Sequence, residues 1–179
     1  MSTVLVPLVS TGITFNEVPE KMAYYIELGG CFMHCANCHS PELQQDIPNM
    51  PTIAEVVLGA TKAVIGGANA IVVLGGTTSR QFDKYDLLEF LKELSSIAPT
   101  CLYSGSDDEE EDKRIATLGG CTWLKTGQYI EALGGLDSTR TNQRFLKREQ
   151  KVQVDKEGYV QKITTIWDDQ THKFWKRVK

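Results

Sequence analysis

The sequence predicts an α/β fold, a partial, open (β/α) barrel carrying a short C-terminal β-hairpin. Three observations predict it. Apolar runs of strand length alternate with leucines at helical spacing from Lys21 to Lys125, the signature of parallel crossover units. The chain has 179 residues, whereas a complete eight-unit barrel takes about 250. Beyond Gln150 the apolar period changes from helical to two, as paired antiparallel strands require. With 41% hydrophobic and 23% charged residues, the composition is that of a globular domain. Residues 1–148 are expected to form the barrel domain, and 149–179 a hairpin and basic tail packed on it.

Each element has its own signal. Lys21 to Leu28 (KMAYYIEL) has the aromatic and β-branched content of a strand, which Gly29-Gly30 ends. After Pro48 and Pro51, Thr52 is placed to cap a helix through Ala54, Val57, Leu58 and Thr61 towards Gly66-Gly67. Ala70 to Leu74 (AIVVL) is a continuous apolar run, expected of a strand covered on both faces. Asp83 opens a second helix, whose Leu87, Leu88, Leu91 and Leu94 share a face before Pro99 stops it. Thr100 to Tyr103 reads as another buried strand. The acidic run Asp107 to Asp112 is expected to be a solvated face preceding a short helix around Arg114 to Leu118, and Cys121 to Lys125 (CTWLK) as the next strand. Lys151 to Val154, the turn Asp155 to Gly158, and Tyr159 to Trp167 form the hairpin.

Bulk properties exclude some functions. A net charge of −4 offers no field to gather nucleic acid or an anionic membrane surface. No stretch approaches the roughly 20 apolar residues that span a bilayer, and Met1 to Ser10 lacks the basic flank of an export signal. A cytoplasmic protein with no nucleic-acid or membrane partner is expected.

Five cysteines, three of them within eight residues, make a poor disulfide framework and a good ligand set. Cys101 and Cys121, in apolar surroundings, are expected to be small buried hydrophobes. Cys31-Phe-Met-His-Cys35-Ala-Asn-Cys38 follows a strand end, so three thiolates can face one iron–sulfur cube. A cluster that only carries electrons usually has four cysteine ligands. Three leave one iron open, and S-adenosylmethionine (SAM) can fill it through its amino nitrogen and carboxylate oxygen. The alternative is a zinc site in which His34 or His39 completes a Cys3His set. Against it, no second C-x2-C or H-x3-H pair exists in the chain. His39 is otherwise expected to orient the loop, and His34 and His172 have no identifiable partner.

The loop, read on as C-F-M-H-C-A-N-C-H-S-P-E-L, resembles the radical SAM activating proteins of anaerobic ribonucleoside-triphosphate reductase. Phe15 to Pro19, Gly75-Gly76, Tyr103-Ser104-Gly105, Leu124 to Gly127 with Ile130-Glu131, and Thr141 to Arg144 resemble further family motifs in the same order, over roughly residues 10 to 147. The resemblance implies a 4Fe–4S cluster on Cys31, Cys35 and Cys38, and SAM bound near Asn37, Cys38, His39, Gly75, Gly76 and Asn142. It implies hydrogen abstraction from one glycine Cα of the large reductase subunit as partner, with a flavodoxin or ferredoxin as electron donor. It implies no catalytic side chain beyond the cluster. Activation of another glycyl radical enzyme, as by the pyruvate formate-lyase activator, and a non-catalytic metal module are the alternatives.

Two departures from the pattern matter. Gly75-Gly76-Thr77-Thr78 stands where radical SAM proteins generally have G-G-E-P, so the acid that would meet the SAM amino group is missing. Asn37 stands where many relatives have an aromatic residue, which leaves backbone contacts in place of adenine stacking. Asn142 and Gln143 either hold SAM or the target loop, or satisfy backbone where the chain leaves the barrel. Lys125 either faces the site or is solvated at its strand end. The tail His172 to Lys179 either docks the larger subunit or frays.

Overall fold

The computed structural model of the chain describes residues 3–175. Seven strands form one mixed sheet in sequential order: β1 (Leu8–Thr14), β2 (Ala23–Leu28), β3 (Ala70–Leu74), β4 (Thr100–Tyr103), β5 (Trp123–Thr126), β6 (Arg144–Val154) and β7 (Val160–Asp169). Strands β2 to β5 are parallel, while β1, β6 and β7 are antiparallel to their neighbours. The sheet is open, with β1 and β7 as its edges. Three helices connect the parallel strands: α1 (Ile53–Ile65), α2 (Lys84–Ile97) and α3 (Glu109–Leu118). No helix among the described residues is long and apolar enough to cross a membrane.

Local chemistry starts each helix where the sequence signals it. Thr52 caps α1 in a full capping box with Glu55, and Asp83 caps α2 by accepting from the N–H groups of Tyr85 and Asp86. The acidic run differs from its expected role. Asp108 caps α3, and Glu109 to Asp112 make its first turn, where carboxylates suit the positive end of the helix. One of them, Asp112, is buried.

Consecutive parallel neighbours joined by right-handed crossovers carry their helices on one face of a sheet. Ile26, Ile71, Val73, Leu102 and Leu124 accordingly pack with α1, α2 and α3 in one apolar cluster. The opposite face carries a smaller cluster of Ala23, Ala70, Val72, Cys101, Trp123 and Phe145. Towards the C-terminal ends of the parallel strands, Glu27, Leu74, Tyr103 and Lys125 stand side by side in register on that second face. Three small residues among them make the floor shallow, and the register row makes its far end polar. A cavity forms there.

The hairpin continues the sheet. Position 148/149, the expected domain limit, lies inside β6, whose Arg144 to Lys147 pair with β5 and whose remainder pairs with β7 alone. Of the tail, 176–179 lie outside the described residues.

Candidate functional site

The cysteine loop leaves β2 at Gly29-Gly30. Gly30 has φ of +77°, and a Cβ there would lie 2.9 Å from Ser79 Oγ, so a side chain is excluded on both counts. Cys31 then bridges to Ser79. Two left-handed residues, His34 (φ 45°) and Asn37 (φ 50°), wind the loop. His and Asn tolerate that conformation better than most residues. A turn closes from Cys38 N–H to Cys35 C=O at 3.2 Å. The winding leaves all three cysteines half-buried while Phe32, His34, Asn37 and His39 are exposed.

A loop without its own sheet or helix must find partners for its backbone, and Thr78 to Gln81 supply them. Phe32 N–H donates to Thr78 C=O at 3.1 Å, Arg80 N–H to Gly30 C=O at 2.9 Å, and Ser79 Oγ to Gly29 C=O at 2.7 Å. The Arg80 guanidinium donates to the carbonyls of Gly30, Cys31 and Gln44 and pairs with Asp46 at 2.8 Å. Gln81 holds Ile47 through both its N–H and its C=O.

Cys31, Cys35 and Cys38 line one cavity of about 500 Å³, together with Glu17, Glu27, Gly75, Tyr103, Gly105 and Lys125. Each sulfur has its own hydrogen-bond partner. Thr78 Oγ1 is 3.2 Å from Cys31 Sγ, Gln128 Nε2 donates to Cys35 Sγ at 3.6 Å, and Ser40 N–H donates to Cys38 Sγ at 3.4 Å. Hydrogen bonds to sulfur are a means by which a protein adjusts an iron–sulfur centre.

Among the described residues no group of three His, Cys, Asp or Glu side chains is drawn together to hold a metal ion. The histidines have other contacts: His34 Nδ1 meets Gln44 Oε1 at 3.2 Å, and the His39 ring, at the cavity, packs tilted against Tyr129 with centroids 4.4 Å apart. Three soft thiols in the lining of one cavity are the ligand type that an iron–sulfur group takes, while a single tetrahedral ion needs ligands that converge.

Charge around the cavity is organised from below. Lys125 is 8% exposed, and its Nζ donates to the carbonyls of Ser104 at 3.0 Å and Gly127 at 2.9 Å. Burial lowers its pKa to about 8, with Asp112, Cys35 and Cys38 opposing that shift. Asp112 accepts from Ser104 Oγ at 2.9 Å and Thr126 Oγ1 at 2.5 Å. Since the Ser104 proton goes to Asp112, the Thr77 hydroxyl donates to Ser104 Oγ at 2.7 Å. Burial raises Asp112 to about 6 against those two donors. Burial likewise pushes the Glu17 carboxyl above its ordinary range.

The structure brings Cys31, Cys35, Cys38, His39 and Gly75 to the cavity wall. Asn37 is on the exposed turn, and Gly76 is buried, where a Cβ would meet Leu28 and Leu87 at 3.1 Å. Asn142 lies outside the wall and donates to Gln128 C=O at 2.9 Å, with its Oδ1 buried and unpartnered. Its neighbour Gln143 lines the cavity instead and donates to Gly127 C=O at 3.2 Å. Lys125 faces the site, the first of its two sequence readings. Cys101 and Cys121 are fully buried, their thiols pushed up by desolvation. Sequence reasoning gave no role to Ser79 to Gln81, Glu27 and Gln128, and it met Thr78 and Glu17 only as members of motifs, without the contacts they make here. No protein-family model matches the chain, and no curated protein or solved structure is matched by it.

Asp112 makes a pH prediction. Its folded-state pKa stands above the unfolded value near 3.8, so its contribution favours folding most at low pH and is lost as pH rises from about 4 to about 6. Asp112→Asn removes that dependence. Urea denaturation at several pH values should show the stability of wild type relative to the variant falling across this window by up to about 3 kcal/mol. Parallel curves would contradict the assignment.

Proposed function

We propose that the chain is a radical SAM activase that holds a 4Fe–4S cluster on Cys31, Cys35 and Cys38 and removes hydrogen from a glycine Cα of the anaerobic ribonucleoside-triphosphate reductase. The observation that carries the reading is that the three thiols line one cavity at the C-terminal ends of parallel strands, where such folds place their sites. On this reading the open sheet is a partial barrel with the cysteine loop following its first parallel strand. The order of motifs along the chain, from the cysteine loop to Thr141-Asn142-Gln143-Arg144, supports the same family.

When bound, the cluster supplies the electron for reductive cleavage of SAM, which gives a 5′-deoxyadenosyl radical able to take hydrogen from an unactivated carbon. The chain's own residues bind and orient. Gln128 and Ser40 direct donors at Cys35 and Cys38, and the Thr78 hydroxyl lies against Cys31, so each sulfur is held in place by a neighbour. Lys125 presents a buried cation that suits the carboxylate of an amino-acid ligand. Gly75 and Gly105 leave the wall bare for close approach. The apolar floor below excludes water from the radical's surroundings.

Anaerobic reconstitution tests the reading. About four irons per chain, and 5′-deoxyadenosine on adding SAM and dithionite, are expected from wild type. Cys38→Ala should abolish the product while Cys121→Ala retains it. Mixing with the reductase large subunit should then give a glycyl signal in electron spin resonance. Zinc without iron, or a mutant lacking Cys38 that still cleaves SAM, would contradict the proposal.

Gly105 isolates the cavity from the cluster. A Cβ there meets nothing within 4 Å, and its φ does not fall in the left-handed region, so Gly105→Leu enters open space at little cost to the fold. The variant should load iron as wild type does and bind SAM at least tenfold more weakly by equilibrium dialysis. Undiminished binding would move the SAM site elsewhere.

A further inference from the structure

The hairpin ends the sheet in an edge that the site does not use. From Glu149 onward β6 pairs with β7 only, and no described residue pairs with the outer side of β7. The arm leaves Val152, Val154, Tyr159, Val160 and Ile163 each more than half exposed. A long apolar edge of this kind is a template for another strand, and proteins that do not use one usually interrupt it with proline, extra charge or a covering loop. Residues 161–169 contain no proline, no described residue pairs with their outer side, and their charges, Lys162, Asp168 and Asp169, stand at the two ends of the run and leave Ile163 to Trp167 uncharged.

The direction of the free backbone groups follows from the ladder. Arg148 N–H donates to Thr122 C=O beside β5 at 2.8 Å, so Arg148 is turned away from β7. Its partner Trp167 is therefore turned outward, by the alternation of bonded and non-bonded pairs in antiparallel sheets. Gln170 N–H donates to Phe145 C=O at 2.8 Å, which puts even-numbered positions of β7 towards β6. Thr165 and Ile163 then share the outward direction of Trp167, up to the bulge at Gln161.

We propose that two copies of the chain pair through β7, antiparallel, about a two-fold axis at Thr165. In that register the outward groups of one copy meet those of the other: Thr165 faces Thr165, and Ile163 faces Trp167. On one face of the new ladder Ile163 packs on the partner's Trp167. On the other face Lys162 stands opposite Asp168, and Thr164 opposite Ile166. Lys162, Thr165 and Asp168 are exposed, and Asp168 Oδ2 accepts from the neighbouring Gln170 Nε2 at 3.2 Å, a surface bond that a partner's lysine would join or replace. Moving the axis by half a residue puts outward groups against inward ones, and moving it by one, to Thr164 or Ile166, sets Lys162 opposite Ile166 or Gln170 and loses the Lys–Asp pair. Moving it by two, to Ile163 or Trp167, removes the Lys–Asp pair. The strand is thus complementary to itself in charge and apolar contact at one register, which is what an isologous interface requires. That match argues for a second copy rather than a foreign strand.

Sedimentation of the full chain over a range of concentrations tests this. Wild type should approach twice the 19.9 kDa chain mass. Thr165→Pro removes an N–H that β6 does not use, so the monomer fold should persist by circular dichroism and the dimer should be lost. Lys162→Asp sets like charges opposite one another twice per dimer and should weaken association roughly tenfold. The double exchange Lys162→Asp with Asp168→Lys should restore it. Thr165→Cys should form an intermolecular disulfide between the two copies of position 165, since a bonded antiparallel pair has Cα atoms about 5.5 Å apart. The register is overturned by wild type that stays monomeric at every concentration, by a dimer that survives Thr165→Pro, or by an exchange that fails to restore association. If Thr165→Pro does not fold, the charge exchange and the disulfide decide alone.

Discussion

The hydrogen bonds from Thr78 to Gln81 onto the cysteine loop are what the candidate site depends on. The loop buries no apolar core and contains two left-handed residues that are not glycine, so its shape has no local source of stability. Arg80 compensates by capping three carbonyls from separate parts of the loop and anchoring itself to Asp46. A hydrogen bond contributes only about 1 kcal/mol net, yet a buried backbone group without one costs more than that. The bonds therefore act mainly by making other loop shapes expensive. They also tie the loop to the segment that follows β3, beside Gly75.

Beneath the sulfurs, Lys125 and Asp112 form a second constraint. Both are buried, and desolvation dominates each of them, lowering the ammonium and raising the carboxyl. They touch through Ser104: its carbonyl receives Lys125 and its hydroxyl donates to Asp112. Such a chain of polar groups costs free energy to bury. What it gains is position, because it joins α3 to the ends of β4 and β5 and holds one cation at the cavity wall. Thr77 serves this same network through Ser104, and Thr78 turns to Cys31. Two adjacent hydroxyls thus brace the cavity's walls.

Elements with purely local causes were legible in the sequence. Ala70 to Leu74 and Thr100 to Tyr103 read as strands because continuous apolar runs need both faces covered, and Thr52 and Asp83 read as caps because their oxygens meet unpaired helix N–H groups. The cysteine spacing, likewise local, led to the cavity wall. What escaped depends on distant partners. β1 is a half-buried edge strand whose weak alternation makes sense only beside β2. The acidic run looked solvated because nothing local shows that Asp112 will find Ser104 and Thr126. Arg80 and Gln81 carry no motif, since their bonds go to residues more than thirty positions away. Asn142 and Gln143 are adjacent, and only the fold decides that Gln143 faces the cavity.

The functional reading turns on whether one corner of the cluster is open to SAM. Mössbauer spectroscopy of the anaerobically reconstituted, iron-57-labelled protein addresses this most directly. One iron in about four should change its isomer shift when SAM is added, with the others unmoved. Four irons that stay alike with SAM in excess would mean that the protein closes the cluster itself, and the proposed chemistry would have no starting point.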